Sequence, residues 1–97
     1  MPRSISFAQL NQIMSTNPCI IDTREPYEFA RHHLPTAINI PYQTLTMYPE
    51  RYLIPGRTYY LICEHGGVSY RAASILEAYG YHAISISRGY EAEGFRY

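Results

Sequence analysis

The sequence predicts an α/β fold: a mainly parallel central sheet with helices on both faces. Three observations carry this. Short apolar runs near residues 19–21, 37–40, 59–63 and 83–87 alternate with segments of helical period. The first run, Cys19-Ile20-Ile21, is continuously apolar, as in a strand covered on both faces. Breakers separate the runs: Asn17-Pro18, Pro41, the turn Ile54-Pro55-Gly56-Arg57, and Gly80. At 97 residues the chain is expected to be one domain spanning 1–97. With 46% hydrophobic and 16% charged residues, it fits a compact globular protein rather than a disordered one. The net charge is zero with His neutral, which gives no reason to expect a nucleic-acid or membrane-surface partner. No apolar run approaches ~18 residues and no charged-then-apolar leader opens the chain, so a soluble, cytoplasmic protein is expected. Cys19 and Cys63, in such a chain, are expected to be free thiols.

The elements follow in order. Ser6 with Gln9 forms a capping-box pattern, and Ile5 with Leu10 a hydrophobic staple. Phe7, Leu10, Ile13 and Met14 then share one helical face until Asn17-Pro18. The strand from Cys19 delivers Asp22, Thr23 and Arg24 at its carboxyl end, the edge at which open parallel sheets bind ligands. Asp22 and Arg24 are therefore candidate site residues. The competing structural role has Asp22 tying loop amides and Arg24 pairing with Glu28. Pro26 suits the first turn of a helix running from Glu25 to Arg31. Adjacent His32 and His33 diverge on either a helix or a strand and lack companion ligands, so no metal is expected, and His33 is expected to hold a loop. After the strand at 37–40, residues 42–52 suit a short helix and a helical stub. A strand from Tyr59 to Cys63 leads into a helix from about Ser69. Its apolar face would be Ala72, Ile75, Leu76 and Tyr79, with Gly80 as a left-handed stop. Beyond the strand at 83–87, Arg88-Gly89-Tyr90 turns away, and residues 91–97 offer one or two helical turns. The eleven tyrosines are scattered, as in amphipathic packing rather than a binding stripe.

Chemistry concentrates at Cys63. The thiol ends a strand, faces a glycine-bearing loop and stands at the start of a helix. Helix N-termini and loops of convergent N–H groups favour anions, and a thiolate is one. Gly66 and Gly67 let successive N–H groups turn inward as a nest. Such a cradle suits a thiolate, a persulfide or a tetrahedral oxyanion. Cys19 starts a strand with no glycine loop beside it and is expected to be an inert core thiol.

Four blocks carry a family resemblance: residues 21–29 (IDTREPYEF), 33–41 (HLPTAINIP), 61–69 (LICEHGGVS, continuing into Arg71-Ala72-Ala73), and Arg88-Gly89-Tyr90. In order and spacing they resemble a single rhodanese-like domain over almost the whole chain. The resemblance implies a parallel sheet of about five strands and sulfurtransferase chemistry. Cys63 would take a sulfane sulfur from thiosulfate or a persulfide and pass it, as a persulfide, to a thiol or to cyanide, with no cofactor. The loop Glu64, His65, Gly66, Gly67, Val68 and Ser69 would bind the persulfide, supported by Asp22, Arg24 and Arg71. A protein is a further candidate donor or acceptor of sulfur.

The sequence also departs from the family pattern. Val68 stands where an Arg is common, and Glu64 where a basic residue is common. Both changes remove positive charge beside an anionic sulfur, so thiosulfate is expected to be a poor donor. His32 and Thr36 replace glycines, and the usual Trp near the carboxyl end is absent. Two other functions compete. One is a catalytically weak or inactive interaction module of the same fold. The other is a cysteine-dependent phosphatase or arsenate reductase. These need an Arg six residues after the Cys to clamp the oxyanion, and here that residue is Ser69, with Arg71 two further on.

Overall fold

The computed structural model describes residues 2–93. Five strands form one parallel sheet: β1 (Arg3–Ile5), β2 (Cys19–Asp22), β3 (Ile38–Asn39), β4 (Thr58–Ile62) and β5 (His82–Ile86). Their order across the sheet is β1-β5-β4-β2-β3. Four helices connect them: α1 (Phe7–Ile13), α2 (Pro26–Arg31), α3 (Tyr42–Met47) and α4 (Gly67–Ala78). Single 3₁₀ turns lie at Met14–Thr16, Pro49–Arg51 and Gly89–Glu93. The α/β expectation, with helices on both faces, holds.

Alternation along the strands divides the core into two layers. Tyr59 and Leu61 of β4 and Ile21 of β2 point to one face, where they meet Ala72, Ala73 and Leu76 of α4 and Leu45 of α3. Ile20 and Ile62 point to the other, against Phe7 and Leu10 of α1 and Tyr90. The central strands β2 and β4 are buried on both faces, which is why they read as continuous apolar runs.

Local signals place the helix ends. The Ser6–Gln9 capping box forms in both directions, at 3.0 and 2.8 Å. Glu25 and Glu28 form a second box behind Pro26. Helix α4 ends with Gly80 at φ 92; Tyr81 N–H donates to Leu76 O and Gly80 N–H to Glu77 O, a Schellman stop. His33 Nδ1 lies 2.7 Å from Phe29 O, holding the expected loop.

Several expectations are corrected. Strand β1 had no signal in the sequence: it is three residues long and mostly exposed, and it pairs with β5, some eighty residues away. Helix α4 begins at Gly67, two residues before Ser69, because Gly66 caps it in the left-handed region at φ 101 rather than through a side chain. Tyr79 is 65% exposed and does not join the apolar face; Ala73 packs there instead. Thr36, where the resemblance expects Gly, holds φ 70. Of residues 91–97, 91–93 belong to the last 3₁₀ turn, and 94–97 lie outside the described residues.

Candidate active site

Topology selects the site. From β2 the chain crosses to β3 on one side, and from β4 to β5 on the other. The carboxyl ends of β2 and β4 therefore border a switch point, where open sheets leave a crevice. A cleft of about 600 Å³ opens there. Its lining comes from the β2–α2 connection (Thr23, Arg24, Glu25, Glu28), from α3 (Tyr42, Gln43), and from the β4–α4 loop and α4 (Cys63, Glu64, His65, Gly67, Val68, Arg71).

Cys63 lies at the floor of this cleft and is 2% exposed. Its Sγ accepts from the N–H groups of Gly66 at 3.1 Å and Ser69 at 3.3 Å, and Ser69 Oγ lies 3.4 Å away. Helix geometry leaves the first-turn N–H groups without intrahelical acceptors, so the sulfur fills a role that a capping oxygen normally plays. The positive end of α4 also points at it. Gly66 is needed twice over: at φ 101, an added Cβ would meet the backbone N of Arg88 at 2.6 Å.

The loop is held from below. Tyr90 N–H donates to Cys63 O and Glu91 N–H to Glu64 O, each at 3.0 Å. This bonding brings the Gly89–Glu93 turn so close that a Cβ on Gly89 would collide with Cys63 O. Tyr90, 1% exposed, donates its phenol proton to Asp22 Oδ2 at 2.9 Å and accepts from Leu34 N–H at 3.1 Å. Burial first, and then the Asp22 carboxylate, push the Tyr90 phenol well above its ordinary range, so it remains a donor.

Asp22 and Arg24 form a buried pair. Arg24 Nε and Nη2 both reach the Asp22 carboxylate, Nη2 at 2.8 Å. Nη2 also donates to His32 O, Nη1 donates to Glu64 Oε1 at 3.3 Å, and the guanidinium lies over the Tyr90 ring. Burial opposes the Arg24 charge, but its hydrogen bonds and charge contact with Asp22 outweigh this and raise its pKa. Asp22 Oδ1 accepts Arg24 N–H, so it ties a loop amide as expected. The expected Arg24–Glu28 pair does not form: Glu28 Oε1 accepts from Glu25 N–H.

These contacts sort the predicted residues. Cys63, Glu64, His65, Gly67, Val68, Arg24 and Arg71 share the cleft, and Gly66 and Ser69 bond the sulfur. Asp22, 0% exposed, does not line the cleft; it holds Arg24, which does. Arg71 is the fifth residue of α4 rather than the second or so, which turns it toward the cleft. Glu64 leans onto Arg24, and His65 Nδ1 onto Glu91 at 3.5 Å, so neither faces the sulfur unpartnered. Sequence reasoning missed Tyr90. Its signals were its place in the Arg88-Gly89-Tyr90 block after the last strand and the glycine before it, and neither said what its hydroxyl would bond.

The rhodanese-like domain family matches residues 6–92. The chain belongs to this family. Among solved structures, a rhodanese-related protein from Thermoplasma volcanium superposes with a TM-score of 0.83 at 29% identity, covering 97% of this chain and 95% of that one. Reduced CoADR-RHD from Bacillus anthracis gives a TM-score of 0.86 at 25% identity over 96% of this rhodanese-like chain, which spans only 16% of the length of the Bacillus protein. The human single-domain sulfurtransferase TSTD1 gives 0.82 at 18% identity, covering 96% of each chain, and speaks to the fold alone. Among curated proteins none matches. Among the described residues no helix is long and apolar enough to cross a membrane, and no group of three or more His, Cys, Asp or Glu side chains is placed to hold a metal.

Proposed function

We propose that this rhodanese-like domain is a sulfurtransferase in which Cys63 carries a sulfane sulfur as a persulfide. One observation supports this above the others: Cys63 Sγ sits at the floor of an open cleft on the converging N–H groups of Gly66 and of Ser69 in the first turn of α4. An outer sulfur on Cys63 would enter that cleft. The Cys63 thiolate attacks the outer sulfur of R–S–SH, the donor's S–S bond breaks, and R–S⁻ leaves. With thiosulfate, sulfite leaves. A thiol or cyanide then attacks the outer sulfur of Cys63–S–S⁻, the new S–S bond breaks, and the thiolate is restored. Every electron pair stays with sulfur or the nucleophile, so no cofactor is required. A carrier of this kind works with reduced thiols, which favours the cytoplasm.

The cleft charges bear on the donor. Each nitrogen of Arg24 already has a protein acceptor, and Glu25, Glu28 and Glu64 share the lining with Arg71 as the remaining guanidinium. A persulfide of low charge, or one carried on a protein, fits this lining better than the thiosulfate dianion.

Intact-mass measurement tests the proposal. After incubation with a persulfide donor, the chain gains one sulfur atom, which cyanide or a thiol removes. Cys63→Ser takes up none, and Cys19→Ser behaves as wild type. No gain with any donor would leave a rhodanese-like binding module. Hydrolysis of an aryl phosphate, lost in Cys63→Ser, would show a phosphatase instead.

A further inference from the structure

Behind the thiol lies a buried pair of hydroxyls. Ser69 Oγ is 3.4 Å from Cys63 Sγ and 2.8 Å from Ser85 Oγ on β5, and both serines are buried. Among the described residues Ser85 Oγ bonds only Ser69 Oγ, so its one proton has Ser69 Oγ as its acceptor. A buried hydroxyl without an acceptor is costly, so this direction is favoured. Ser69 keeps one proton of its own and two possible acceptors, Gly66 O at 3.2 Å and Sγ. Gly66 O also accepts Tyr70 N–H at 3.1 Å, so it stays satisfied when the Ser69 hydroxyl turns away.

We infer that Ser85 is a positioning residue for the Cys63 thiolate, acting through Ser69. When Cys63 ionises, its S–H bond breaks and the proton leaves to water. The Ser69 hydroxyl then rotates from Gly66 O to Sγ, while Ser85 continues to donate to Ser69 Oγ. No covalent bond to either serine changes. Donation from Ser85 occupies one lone pair of Ser69 and polarises its O–H toward the sulfur. Ser69 thereby adds a third donor to the two backbone N–H groups, and β5 is tied to the chemistry on β4.

The inference rests on Cys63 being the reactive thiolate, and its test separates the two. The ionisable groups around the cleft are Arg24, Glu25 and Glu28 after β2, Tyr42 on α3, Glu64 and His65 in the loop, and Arg71 on α4. Ser85 Oγ hydrogen-bonds none of them. The alkylation rate of Cys63 by iodoacetamide is followed against pH, with the modified residue located by peptide mass. In Ser85→Ala the profile moves to higher pH. Alkylation slows roughly three- to tenfold below the midpoint and is unchanged on the high-pH plateau. Ser85→Thr, which keeps the hydroxyl and suits a strand, restores the wild-type profile. In a Ser69→Ala background, Ser85→Ala shifts nothing further. Coincident wild-type and Ser85→Ala profiles, or a shift that persists without Ser69, would overturn the role of Ser85. A wild-type Cys63 that resists alkylation at every pH would overturn the thiolate reading, and this inference with it.

Discussion

At the scale of single residues, Glu64 and Arg24 decide what the cleft offers an anion. Glu64 follows Cys63 directly, where its charge alone would repel an anion. In the fold it rests against Arg24 Nη1, and so cancels the one guanidinium corner that Asp22 and His32 leave over. Glu64→Gln therefore does two things at once: it removes a carboxylate from the cleft and uncovers positive charge on Arg24. Two unit charges some 8 Å apart interact by about 2 kcal/mol at an effective dielectric near 20, before salt screening. Within the sulfurtransferase reading, kcat/KM for thiosulfate should rise roughly three- to tenfold in Glu64→Gln, and added salt should shrink the gain. An uncharged persulfide should change by less than about twofold. A thiosulfate rate that is unchanged or falls would show that Glu64 has another task. Removing Arg24 itself is a different experiment, because it strands a fully buried Asp22 carboxylate.

At the scale of elements, the loop after β4 is shaped by two neighbours, α4 above and the Gly89–Glu93 turn below. The glycines show how tight each side is. At Gly89 (φ 55) an added Cβ would collide with Cys63 O, a backbone atom that cannot swing aside. At Gly67, the first residue of α4, nothing lies within 4 Å of such a Cβ. Gly89→Ala should therefore cost at least about 2–3 kcal/mol in urea unfolding and, within the sulfurtransferase reading, disturb sulfur loading, since it pushes on the cysteine backbone. Gly67→Ala should stay within about 1 kcal/mol of wild type. Equal midpoints for the two variants would contradict this packing. The contrast also shows what the sequence made legible. The helix starts at Ser6 and Pro26, the stop at Gly80 and the Cys63–Ser69 cradle all follow from residues a few positions apart, where local chemistry decides. The start of α4 was misplaced because its cap is a backbone conformation at Gly66, not a side chain. Strand β1 left no pattern, because a short edge strand mostly exposed to solvent need not alternate.

At the scale of the whole molecule, the parts that sequence could not join are joined by Tyr90. Its hydroxyl links the last 3₁₀ turn to Leu34, before β3, and to Asp22, at the end of β2, contacts separated by 56 and 68 residues. Nothing near Tyr90 in sequence announces them: the Arg88-Gly89-Tyr90 block marks it out among eleven tyrosines but says nothing of its partners. The bond has a pH signature. Burial and then the Asp22 charge raise the Tyr90 phenol in the fold, whereas in an unfolded chain a tyrosine releases its proton near about pH 10. Above that pH the folded chain binds a proton that the unfolded chain has lost, so stability falls as pH rises. Below about pH 10 the contribution is complete. Tyr90→Phe should therefore lower stability near neutral pH by about 1–3 kcal/mol, since Leu34 N–H and Asp22 each lose a partner. It should also flatten the alkaline limb, so that variant and wild type converge as pH climbs past about 10. Urea midpoints measured from about pH 8 to 11 would show this. Parallel alkaline limbs would mean that the Tyr90 proton is held no more tightly in the fold than outside it.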